Sequence, residues 1–89
     1  MAKIRDLKNE VNYLIYEIIS DCNTFMSLHP EKQEQTVRLV EEAVELRNNL
    51  IFKINHPDDI SAKYFQSLRQ QLISGADKIF EKLRKLINK

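Results

Sequence analysis

One cysteine, one glycine, two prolines and no tryptophan among 89 residues leave this chain with little that breaks a helix and little that builds a site. The lone Cys22 can close no intrachain disulfide, and it falls on the apolar side of a helical pattern, where a cysteine reads as a small buried hydrophobe. A single glycine is too few for phosphate-cradling loops of the Walker or dinucleotide kind, which need several backbone positions free of a Cβ. Apolar runs are short: the longest uncharged stretch, 22–30, falls far below the ~20 residues that a bilayer span requires. Neither sign of charge dominates, since 14 Lys and Arg stand against 13 Asp and Glu for a net +1. No global field therefore draws the chain to nucleic acid or anionic lipid. The opening residues Met1-Ala2-Lys3-Ile4-Arg5-Asp6 contain no apolar run followed by small residues, which leads to the expectation of a cytoplasmic protein.

What is present is apolar and helical. Hydrophobic residues make up 43% and charged residues 30%, too much Leu, Ile, Val and Phe for disorder, in a length that fits one domain over residues 1–89. Proline coincides with a loss of apolar phase at only two places, Leu28-His29-Pro30-Glu31 and Asn55-His56-Pro57-Asp58-Asp59. Proline suits a first helical position and pushes the residue before it out of helical geometry. Both places are predicted turns, and they divide the chain into helices over roughly 4–28, 30–55 and 59–88.

Residues placed at 100° intervals gather into one apolar arc in each segment: Leu7, Val11, Ile15 and Ile18 in the first; Leu39, Ala43, Val44 and Leu50 in the second; Leu68, Leu72, Ile79 and Leu83 in the third. Each arc spans about half a turn, wider than a coiled-coil seam, so each helix should touch two neighbours. With short connections, the expected fold is all-α, an up-down-up antiparallel three-helix bundle. Such a thin bundle buries little surface, and packing as a homodimer would supplement it. Tyr13, Tyr16, Phe52 and Tyr64 lie at or beyond the arc edges and are the candidate interface residues. Ser74-Gly75-Ala76-Asp77 matches a capping box, but Leu72, Ile79 and Leu83 keep phase across it. The third helix is therefore expected to continue, with Gly75 admitting a close neighbour.

Chemistry-bearing patterns are missing. The sequence holds no His pair at i, i+4, no Glu-x-x-His and no paired cysteines, so no catalytic, cofactor-binding or metal residues are assigned and no enzyme is expected. His29 and His56 share a His-Pro-acid context, yet they belong to turns at opposite ends of the bundle and suit helix C-termini. Glu41, Glu42 and Glu45 fill a solvated face. From residue 58 onward seven basic residues stand against four acidic ones, which complements the end of the third helix dipole.

Arg47 and Arg69 occupy phases where hydrophobes would be expected. Counted outward from the turns, Glu10 and Glu17 are within reach, so these four residues form a candidate polar layer that fixes register, with Glu10 or Glu17 the expected partner of Arg47. The alternative is an anion or partner contact at the same residues. The functional expectation is a small cytoplasmic, non-catalytic helical protein acting through helix–helix contacts, as a homodimer or a protein-interaction module. The competing expectation is a nucleic-acid-associated regulator that uses the basic third helix.

Overall fold

The computed structural model describes residues 2–87, with side chains from residue 4 onward. Three helices pack against one another: α1 (Ala2–Leu28), α2 (Gln33–Asn55) and α3 (Ala62–Ile87), with a 3₁₀ turn at Pro30–Lys32 leading into α2. The molecule measures 45 × 16 × 16 Å. Among the described residues no helix is long and apolar enough to cross a membrane. Lys82 of α3 donates to Glu42 of α2 at 3.0 Å, and Lys53 of α2 donates to Gln71 of α3 at 3.2 Å. A step forward along α2 is thus a step back along α3, as an up-down-up bundle demands.

The turns have a shared construction. His29 (φ −135°, ψ 70°) and His56 (φ −128°, ψ 64°) leave helical geometry ahead of Pro30 and Pro57, as the proline ring requires. Each backbone N–H still donates back four residues, to the Phe25 and Phe52 carbonyls at 2.8 Å. Each imidazole also lies against that same phenylalanine, with ring centroids 4.7 and 4.6 Å apart. A Phe-x-x-x-His-Pro unit therefore ends both helices.

The start of α3 differs from the sequence expectation, falling at Ala62 rather than near 59. Ser61 is the reason: its Oγ accepts from the Tyr64 N–H at 3.3 Å, and Asp59 holds the Ser61 N–H at 2.9 Å. This N-cap fixes the first turn beyond Asp59. The expected end at Asn88 lies outside the described residues.

The core runs the length of the bundle, through Leu7, Val11, Ile15, Ile18, Cys22 and Phe25 on α1, Leu39, Ala43, Leu50 and Ile54 on α2, and Leu68, Leu72, Ala76, Ile79 and Leu83 on α3. Each large side chain there contributes about 1.5–3 kcal/mol by leaving water. Val44, expected inside, is 39% exposed, and Val37 in the same stripe is 38%. Thr36 is fully buried instead, its hydroxyl donating to the Lys32 carbonyl at 2.9 Å, so no polar atom is stranded. α3 runs unbroken through Ser74 and Gly75. A Cβ at position 75 would stand 2.7 Å from Cδ2 of Leu46, so the missing side chain is what lets α2 settle there.

Candidate functional site

The four residues of the anticipated polar layer do not meet as one layer. Arg69 pairs with Glu10 at 2.8 Å, both about half exposed, so this arginine sits at the rim of the α1–α3 seam rather than inside an apolar arc. Arg47 is half-buried and donates through Nε to Oδ1 of Asn12 at 2.8 Å and through a terminal nitrogen to Asn48 at 3.1 Å. Among the described residues neither Glu10 nor Glu17 lies within ion-pair distance of Arg47, which corrects the expected partner. The physical cause is the direction of α1: residues 10 and 12 point about 200° apart on a helix, so Glu10 serves the α3 side and Asn12 the α2 side. Glu17 is exposed and, among the described residues, pairs with no basic side chain.

Each seam therefore carries a clasp at its rim: Asn12–Arg47 between α1 and α2, Glu10–Arg69 between α1 and α3, and Glu42–Lys82 with Lys53–Gln71 between α2 and α3. Exposed pairs of this kind stabilise by about 0–1 kcal/mol each, enough to choose register and too little to hold the fold. Surface grooves beside Arg69 involve Phe65, Gln66 and Gln70, but they are open to solvent and the guanidinium is already turned to Glu10.

Among the described residues no group of three or more His, Cys, Asp or Glu is arranged to hold a metal ion. His29 and His56 stand at the two ends of α2, separated by about 35 Å of helix rise. His29 Nδ1 approaches Glu31 at 3.3 Å. The Glu31 carboxyl is held below its ordinary range by its own backbone N–H and then by His29. Burial, followed by the Asp21 charge, pushes the Cys22 thiol up.

The four candidate interface aromatics separate. Tyr13 (67% exposed) and Tyr16 (71%) project from the outward face of α1. Phe52 is exposed but lies nine residues from the buried Ala43, half a turn out of phase, so it faces away on α2. Tyr64 is half-buried, edge-on to Phe65 at 5.6 Å, and packs against the core.

What distinguishes the Tyr13–Tyr16 face is the charge it lacks. Residues 9–28 contain no Lys or Arg, and the outward positions there are Asn9, Tyr13, Tyr16, Ser20, Asn23, Thr24 and Ser27, with Glu17 the one charge among them. Protein interfaces are depleted in charge at their centres and enriched in tyrosine, and Tyr, Asn and Ser dominate antibody paratopes for the same reasons of rigidity and adaptable hydrogen bonding. Exposed apolar residues flank this face. Val37 and Val44 share the α2 edge that carries Arg47 toward α1, and Ile73 (43% exposed) follows Arg69 by four residues on the α3 edge. The outward surface of α2 is rich in charge by contrast, with Glu34, Arg38, Glu41 and Glu45.

Compared with known proteins, the chain matches no family model, no curated protein and no solved structure.

Proposed function

We propose that this chain is a non-catalytic helical protein that works through helix–helix contacts, with the outward face of α1 as its contact surface. The carrying observation is the pair of exposed tyrosines, Tyr13 and Tyr16, in a stretch without Lys or Arg and bordered by Val37, Val44 and Ile73. Single exposed hydrophobes are ordinary, but this grouping on one side of a bundle is what a binding face requires. The reading includes action in the cytoplasm.

The competing nucleic-acid reading is weaker because two of its cations are engaged: Arg69 holds Glu10 and Lys82 holds Glu42, while Asp77 and Glu81 interrupt the rest of α3. Binding that depends on phosphate contacts would fall steeply with salt, whereas a contact through α1 would not.

A photoreactive side chain placed in turn at positions 16, 52 and 85 of the chain, in living cells, tests the face directly. Adducts concentrated at position 16 are expected. Equal labelling at all three positions, or labelling only at position 85, would remove α1 as the contact surface.

A further inference from the structure

We propose that the occupant of this face is a second copy of the chain, its α1 lying antiparallel across the first about a twofold axis that passes between Tyr13 and Tyr16. This rests on the reading of α1 as a contact surface and adds the partner.

Area is the first argument. The chain exposes 6303 Å². A typical monomer of this mass exposes about 5,500 Å², so about 800 Å² of extra surface remains, close to what one partner buries in a standard interface. The excess belongs to the shape, since a bundle 45 Å long and 16 Å across has no wide layer to hide behind. A second bundle laid along α1 supplies that layer.

Symmetry is the second argument. A twofold contact is made by one patch meeting itself, so residues beside the axis must tolerate their own copies. Tyr13 and Tyr16 lie about 4.5 Å apart along the helix, and an axis between them leaves each tyrosine within that distance of its counterpart in axial position. Four phenol rings then form one cluster, with the hydroxyl groups free to reach Asn9, Asn12 and Ser20 at its edges. A lysine or glutamate at either position would oppose its own charge; the sequence places neither there.

Charge sets the direction. The first half of α1 holds Lys3, Arg5 and Lys8 with Asp6 and Glu10, a net +1, while Glu17 and Asp21 give its second half a net −2. Antiparallel packing sets these unlike halves side by side and opposes the two helix dipoles; parallel packing would align like with like. Val44 and Ile73, on either flank of α1, extend the contact outward.

Molar mass measured on the purified full chain by light scattering, from nanomolar to submillimolar concentration, tests the occupant. The mass is expected to approach twice 10.6 kDa at the upper end and to fall to one chain on dilution. Tyr13→Lys and Tyr16→Lys should each move the midpoint more than tenfold higher in concentration with unchanged helical circular dichroism, because both side chains are exposed; Phe52→Lys should not move it. For direction, Tyr13→Cys should form disulfide-linked dimers under diamide, and Arg5→Cys should not, since only positions near an antiparallel axis meet their own copies. Cys22, fully buried, stays silent. One-chain mass at every concentration would overturn the second copy. If position 16 nevertheless cross-links to another protein in cells, the α1 face survives and only its occupant is wrong. A dimer indifferent to both tyrosine changes would overturn both readings.

Discussion

Nε of Arg47 on α2 donates to Oδ1 of Asn12 on α1 at 2.8 Å, and the neutrality of that acceptor decides what the arginine is worth. Removing one partner of a buried ion pair strands a charge, but here only a solvent-exposed amide would be left. Arg47→Leu should therefore change stability by no more than about 1 kcal/mol in either direction, as should Arg69→Leu, whose partner Glu10 is half exposed. Urea denaturation of the two single variants and the double variant checks this; a loss above about 3 kcal/mol at Arg47 would mean that it supports the core.

Gly75 and Leu46 should be coupled. Alanine gains ~1 kcal/mol of helix propensity over glycine, while the new Cβ presses on the tip of Leu46. That tip is half-buried and can turn, so Gly75→Ala alone should fall within about 1 kcal/mol of the parent, and Gly75→Val should destabilise by about 1–3 kcal/mol. In a double-mutant cycle with Leu46→Ala, the second change should relieve the first by about 0.5–1 kcal/mol. Additive values would show that the two do not touch.

Leu72, Leu14 and Val44 should respond differently to truncation to alanine. Leu72 is 2% exposed and Leu72→Ala should cost about 2–4 kcal/mol, whereas half-buried Leu14 should cost about 1–2 kcal/mol and Val44 under about 1 kcal/mol. Thermal or urea denaturation ranks them, and Val44→Ala costing as much as Leu72→Ala would contradict the observed exposure.

That ranking marks where reading the sequence stops. Periodicity gives the width of an apolar arc, so Leu72 and Ile15 are legible as core and the three-helix bundle follows. It does not say which edge of the arc a neighbour covers, and Val44, about 100° round from Ala43, falls on an uncovered edge. Counting residues from the turns gives axial level, which placed Glu10 near both arginines, but the flank needs the handed arrangement of three helices. Thr36 was findable, being seven residues before Ala43 and in phase with it. So were Phe25 and Phe52, four residues before each histidine, and the absence of Lys and Arg from residues 9–28.

Cys22 gives the chain a stability term at high pH. Its folded thiol resists ionisation because of burial, while the unfolded thiol ionises at its ordinary value of 9.0. Above that pH the folded state binds more protons than the unfolded state, so stability falls as pH rises, until the folded thiol also ionises. Comparing the chain with Cys22→Ala by urea denaturation from pH 7 to pH 10 isolates this group: the cysteine's advantage should be largest at pH 7 and shrink through pH 9 and 10. An advantage unchanged across that span would mean that the thiol is not held protonated.

Lys32 should govern the end of α3. From the 3₁₀ turn its ammonium reaches across the bundle to the Leu86 carbonyl at 2.6 Å, partly buried, and passes 6.0 Å from the Phe25 ring. The last carbonyls of a helix have no partner within it and carry the negative end of its dipole, so a cation from another element both satisfies and neutralises them. This contact also ties the α1–α2 turn to the far end of the chain. Lys32→Met keeps most of the aliphatic stem and removes the charge; it should cost about 1–2 kcal/mol, within the usual range for a hydrogen bond to a charged group. The loss should be local before it is global: amide hydrogen exchange should accelerate over Leu83, Arg84, Leu86 and Ile87 while Leu68 and Leu72 keep their protection. Lys32→Arg, which retains a donor and a charge, should restore much of it. Uniform exchange along α3 in the methionine variant would mean that the lysine contributes to general packing and not to the helix end.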